Sequence, residues 1–190
     1  MRKSLWTISV LLLFAATPTF LRADITYTVN QTVGAGGVTG TITTDGTIGT
    51  LGATDIIGWN LLLNSGSSTI TLTGPPSANS NVSNFGAELL TASATQLFYN
   101  FGGSVGAFFF VGPGNASTWC LGTGNPCVSP AGEGVRIDPV LVFSQNTGDP
   151  AIATVTSTPE PGTSLLMLIG VGLVLAVMRK RIAQGLPQAI

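Results

Sequence analysis

The stretch "ITYTVNQTV", Ile25 to Val33, decides the fold. Ile25, Tyr27, Val29 and Val33 fall on one side of an extended chain, and Thr26, Thr28, Asn30 and Thr32 fall on the other. A period of two in β-branched and aromatic residues marks a strand buried on one face. The pattern continues downstream. In "VTGTITTDGTIGTL" (38–51) two Thr/Ile-rich runs flank Asp45-Gly46, a pair that readily takes the positive φ angles of a tight hairpin turn. "DIIGWNLLLN" (55–64) sets Ile57, Trp59, Leu61 and Leu63 on one face, and "TITLTG" (69–74) reads as the next strand. Pro75-Pro76 and an Asn/Ser-rich loop to Asn84 then interrupt the run.

Further on, "AELLTASATQ" (87–96) mixes helix formers with Thr and Ser; it fits a helical turn or a strand, and strand is the reading adopted. "LFYNF" (97–101) and "VGAFFFV" (105–111) are aromatic strands joined through Gly102-Gly103, and the unbroken run Phe108 to Phe110 predicts a strand covered on both faces. Residues 112–133 hold both cysteines with much Gly, Pro and Asn and read as a loop. "VRI", "VLVF" and "AIATVT" close the domain. Short strands spaced by turn residues, with no long amphipathic helix, predict an all-β body of the β-sandwich or jelly-roll type over residues 24–156. That length suffices for one domain with a real core.

The two ends differ from this body. Met1 to Lys3 are positively charged at the start, Leu5 to Ala16 are mostly apolar, and Leu21-Arg22-Ala23 follows a polar stretch. This is the layout of a signal peptide, residues 1–23, cut after Ala23. Near the other end, Gly162 to Met178 carries no charge; as a helix it spans about 25 Å, the short end of a transmembrane segment. Arg179, Lys180 and Arg181 follow, and positive residues stay cytoplasmic. Both ends therefore predict a body outside the cytoplasm, with 182–190 as a cytoplasmic tail.

Charge and residue chemistry exclude several functions. All eight acidic residues lie between Asp24 and Glu160, but of the basic residues only Arg136 does, so the exported portion carries a charge near −7. Nucleic acid is excluded as a partner, because binding phosphates needs a positive patch. The chain has no histidine, which removes Ser-His-Asp and Cys-His catalysis. Two carboxylates could still cleave a glycosidic bond; the candidates are Asp45, Asp55, Glu88, Glu133 and Asp138. Asp45 is better explained by its turn, Glu133 sits between glycines in a loop, and Asp138 precedes Pro139. No catalytic residue, metal site or cofactor is assigned. Two thiolates do not complete a zinc site, no Asp-x-Asp-x-Asp calcium loop is present, and "VGAGGVTG" is not followed by a phosphate-binding Lys. Cys120 and Cys127, in the oxidising exported part, are expected to form a disulfide. Trp59 is expected in the core, and Trp119, in the cysteine loop, is a candidate for facing a ligand such as a sugar ring.

"TPEPGTSLLMLIGVGLVLAVMRKR" (158–181) resembles a PEP-CTERM sorting signal. Pro159, Glu160 and Pro161 match the triplet, Gly162, Thr163 and Ser164 the small and hydroxyl positions, Leu165 to Met178 the helix, and Arg179 to Arg181 the basic cluster. The resemblance implies an exported protein, sorting signal 157–181, that is a substrate of an exosortase-type membrane protease. Glu160 would be a recognition handle and not a catalytic group. It implies a transient inner-membrane anchor contacting lipid through the helix, then release of the body to the cell surface or extracellular matrix, in association with exopolysaccharide. Family tails usually stop soon after the basic cluster, whereas Ile182 to Ile190 add nine residues here. The alternative expectation is a permanently inner-membrane-anchored periplasmic domain that binds a ligand.

Overall fold

The computed structural model describes residues 23–124 and 128–155, together with Gly170 and Val174. The expected signal peptide (1–22 of its residues), Cys127, the Pro159-Glu160-Pro161 triplet and the Arg179–Arg181 cluster lie outside the described residues. So does the expected membrane helix, apart from Gly170 and Val174, which are helical. Among the described residues no helix is long and apolar enough to cross a membrane.

The body is all-β. Its strands are β1 (Ile25–Val33), β2 (Gly36–Thr44), β3 (Gly49–Leu51), β4 (Ile56–Asn64), β5 (Thr69–Thr73), β6 (Asn81–Gly86), β7 (Leu90–Ala92), β8 (Gln96–Tyr99), β9 (Gly106–Val111), β10 (Ser117–Gly124), β11 (Val128–Ile137), β12 (Val140–Gln145) and β13 (Ala151–Val155). An eight-stranded sheet has the order β3-β7-β8-β13-β1-β2-β4-β5, and a five-stranded sheet has the order β12-β11-β10-β9-β6. Every pairing is antiparallel. β11 packs across onto β1, β2 and β4, which makes the body a two-sheet sandwich. The strand order is not that of an eight-stranded jelly roll. Each sheet is built largely from sequence neighbours paired in meanders, β1-β2 and β4-β5 in one and β9 to β12 in the other.

The core forms where the two inner faces meet. Tyr27, Val29 and Val33 of β1 are buried, as the alternation predicts. Trp59, Phe110 and Trp119 form an aromatic column that joins the sheets. Trp59 meets Phe110 edge-on at 5.8 Å between ring centres, and Phe110 stacks on Trp119 at 5.3 Å. Trp59 Nε1 donates to Ser80 Oγ (2.8 Å), which in turn donates to the Thr73 carbonyl (2.8 Å), so this buried polar edge is satisfied.

Several local expectations are corrected. Asp45-Gly46 does not turn a hairpin: β3 pairs with β7, and β2 lies between β1 and β4. The pair instead begins a bend, with Asp45 Oδ1 accepting from the Thr47 amide at 2.9 Å. The tight turn is at Gly34-Ala35, where Gly34 takes φ 56° and Val33 pairs with Gly36. In β4, Ile57 faces out and Ile56 in, because a bulge opposite Thr43 and Thr44 inserts one residue and inverts the phase. The Asn/Ser-rich loop ends early, since β6 starts at Asn81. The supposed loop 112–133 contains β10 and the start of β11, paired in register from Ser117↔Ile137 to Gly122↔Gly132. Phe109 is only half-buried, so β9 is covered fully on one face alone.

β5, at one edge of the larger sheet, has its open side covered by a side chain. Asn79 Oδ1 accepts from the Thr73 amide (2.8 Å), and Asn79 Nδ2 donates to the Thr71 carbonyl (3.0 Å). Within the same sheet, β13 sits between β1 and β8. It carries a bulge between Ala151 and Ala153 that lets Ile152 and Ala153 both turn inward. Where the β1–β13 ladder stops, Gln31 Nε2 donates to the Ile152 carbonyl at 2.8 Å and the Ala151 carbonyl at 3.3 Å. Gln31→Ala strands these carbonyls and should lower the unfolding free energy by about 1–2 kcal/mol, read by urea denaturation of the full chain.

Candidate functional site

The outer face of the five-stranded sheet is the best-formed candidate for binding. Register places its residues in rows. Asn81, Val111, Thr118, Arg136 and Leu141 lie across one row; Ser83, Phe109, Cys120, Gly134 and Phe143 lie across the next. Alternation explains the arrangement: Phe108, Phe110, Trp119, Leu121 and Val135 point into the core, so their neighbours must point out. Phe143, Leu141 and Phe85 are more than half exposed, at 54%, 56% and 57%. Small residues at Gly134 and Cys120 leave a trough between the larger ones. The resulting cavity is about 280 Å³, lined by Phe109, Val111, Thr118, Arg136, Leu141 and Asn115 with that small-residue floor. Asn115 sits at the rim with φ 59°, a left-handed conformation that Asn tolerates better than most residues.

Arg136 is the one Lys or Arg among the described residues. Its Nε donates to Asp138 Oδ1 at 2.6 Å, and both side chains are about half exposed. The pair neutralises itself while leaving donor and acceptor atoms free at the cavity wall.

The structure disperses most of the carboxylates considered for catalysis. Asp45 is engaged in its bend, and Asp138 with Arg136. Asp55 Oδ2 accepts from the Gly52 amide at 2.8 Å, and Glu88 approaches the same glycine: a methyl group on Gly52 would lie 3.3 Å from Glu88 Oε1 and 3.9 Å from Asp55 Oδ2. Glu133 is not in a loop. It lies on β11 opposite Leu121, faces the core and is 2% exposed. Burial pushes its carboxyl up to about 7, against the nearby Trp119 N–H and the hydrogen bond from Asn146, which pull it down. The local signal for this strand was hidden, because Gly132 and Gly134 on either side look like loop residues. Among the described residues no cluster of three or more metal-ligating side chains occurs.

Trp119 is fully buried, contrary to its expected position against a ligand. The loop reading fails because β9 and β11 flank β10 on both sides and seal the indole inside. Trp59 is in the core, as expected. Cys120 lies on the outer face of β10 and is 6% exposed; no free cysteine is present among the described residues. Its expected bridge to Cys127 falls outside those residues.

The segment after the body matches a known motif. Residues 157–181 match the PEP-CTERM protein-sorting motif. The chain carries this signal. A PEP-CTERM signal implies export and sorting through an exosortase, a membrane protein. The match covers Pro159, Glu160, Pro161 and the basic residues Arg179, Lys180 and Arg181, and none of the β-sandwich. No curated protein matches this chain, and no solved structure does.

The outer face should behave as a surface and the inner face as core. Phe143→Ala should change stability by no more than about 0.5 kcal/mol. Val135→Ala, one strand away and pointing inward, should cost about 2 kcal/mol. Denaturant midpoints of the two variants check this.

Proposed function

We propose that this is a non-enzymatic exported protein whose β-sandwich is delivered to the cell surface or extracellular matrix by a discarded C-terminal signal. The observation that carries the reading is the PEP-CTERM motif at residues 157–181. Proline on either side of Glu160 disfavours helix and sheet pairing, which suits recognition by a protease. Residues 162–178 hold the substrate in the inner membrane by lipid contact, with Arg179, Lys180 and Arg181 on the cytoplasmic side. Cleavage by an exosortase-type enzyme then releases the body. Cys120 and Cys127 are paired in it, which closes the β10–β11 connection. The absence of histidine from the chain and the engagement of Asp45, Asp55 and Asp138 in local contacts support a binding role over catalysis.

The body's partner in this reading is exopolysaccharide, bound on the outer face of the smaller sheet. Apolar C–H faces of sugar rings suit Phe109 in the cavity and the exposed Phe143 opposite Gly134, and hydroxyls suit Asn115, Thr118 and the Arg136–Asp138 pair. Because that pair is neutral within an acidic body, the face favours an uncharged sugar over an anionic one. The nine residues Ile182 to Ile190 after the basic cluster favour a second reading: a permanently inner-membrane-anchored periplasmic domain that binds a ligand.

Mass spectrometry of the termini separates the two. Protein recovered from the cell surface should begin near Asp24 and end within or just before the triplet; an intact C-terminus at the inner membrane supports the anchor instead. Glu160→Ala should accumulate uncleaved, and unchanged processing would count against sorting. The same spectra before and after reduction should differ by two hydrogens for a Cys120–Cys127 bridge. In native gels containing the producing cell's polysaccharide, the protein should be retarded and Phe143→Ala less so; equal mobility of both with and without polysaccharide removes this partner.

A further inference from the structure

We propose that Glu133 is a proton-operated latch between the two sheets: protonated it stays in the core and the sandwich is closed, ionised it seeks water and loosens the β11–β12 margin. The geometry is that of a carboxyl with too few partners. Oε1 accepts one hydrogen bond, from Asn146 Nδ2 at 3.1 Å. Oε2 is buried with no hydrogen-bond partner, and so is the indole Nε1 of Trp119. The Trp119 N–H eases the charge on the carboxylate, but its geometry falls short of a hydrogen bond.

Among the described residues no opposite charge compensates an ionised Glu133. The strands packed against β11 are β10 and β12 within its sheet and β1, β2 and β4 across the core. None of them contains Asp, Glu, Lys or Arg. Their one titratable group is Tyr27 on β1, whose hydroxyl donates to the Ser93 carbonyl; Cys120 on β10 is not a free thiol and faces the opposite side of the sheet. On β11 itself Arg136 points outward and is engaged with Asp138. A buried carboxylate without a counter-ion takes up a proton rather than remain charged. This is why burial holds Glu133 near 7, where an ordinary carboxyl titrates near 4.5.

The direction of the switch follows. Between those two values the folded chain holds a proton that the unfolded chain has lost, so stability falls as pH rises. The contribution is complete below about 4.5 and gone above about 7. The strain falls on a defined place. Glu133 pairs with Ser144, whose Oγ accepts from the Gly34 amide at the β1–β2 turn, and Asn146 closes the end of β12 through its amide on the Ala131 carbonyl. A carboxylate leaving the core draws on these contacts first. If the body is exported as proposed above, it meets the pH of the surroundings directly; the titration itself does not depend on that reading.

Infrared titration of full-length protein in detergent tests the latch. One protonated-carboxyl band should persist to about pH 6, fall to half near pH 7, vanish by about pH 8 and be missing from Glu133→Gln. Loss of every such band by about pH 5 would overturn the proposal. From about pH 5 to pH 8 the folding constant of the wild type should fall on the order of 10²-fold, with that of Glu133→Gln nearly flat. Parallel curves for the two proteins would also overturn it. Should Glu133→Gln fail to fold, the wild-type infrared titration decides alone. Amide exchange in β11 and β12, corrected for intrinsic base catalysis, should quicken across the same interval; unchanged protection there would remove the loosening.

Discussion

The larger sheet is continuous only because β13 lies between β1 and β8. On one side of it stands the block β1-β2-β4-β5; on the other stands β3-β7-β8. Among the described residues no other ladder joins them. The register Tyr27↔Val155 to Val29↔Ala153 binds β13 to the first block, and Ala151↔Phe98 to Thr154↔Gln96 binds it to the second. Side chains reinforce the seam: Gln31 reaches β13 carbonyls beyond the end of its ladder, and Tyr27 donates across to the Ser93 carbonyl at 2.7 Å. The last strand of the body is thus an interior strand. The sheet closes only when the chain up to Val155 is available, and the sorting motif begins just two residues later.

What the sequence revealed depended on how local the cause was. β1 and most of β4 were legible because their inward residues alternate without interruption, and the tyrosine and tryptophan they carry are buried where alternation puts them. The phase of Ile56 and Ile57 was not legible, because the bulge that sets it depends on β2, a different segment. Asp45-Gly46 has the chemistry of a hairpin turn, but pairing partners are a tertiary choice, and β3 pairs with β7. β10 and the first part of β11 were hidden by their glycines, and only the end of β11, "VRI", was legible. In those strands glycine gives the outer face its trough, and their neighbours supply the burial that propensity alone would deny them.

The candidate sites divide along the same line. The sorting signal is written in consecutive residues, since a protease reads an extended segment, and it was recognisable at once. The outer-face cavity draws on β9, β10, β11 and β12, and no one of these segments announces it. Glu133 is the sharpest case. Its neighbours in sequence suggest a solvated loop, yet its neighbours in space leave one carboxyl oxygen without a hydrogen bond. Destination is thus encoded locally, whereas the body's surface and its response to protons emerge from assembly.

The side chain of Asn79 has a consequence for life in a crowd. An open strand margin invites another molecule to fuse alongside it. By occupying the amide of Thr73 and the carbonyl of Thr71, Asn79 acts as a stopper on that margin. Many copies can then be displayed shoulder to shoulder without knitting into fibres along it.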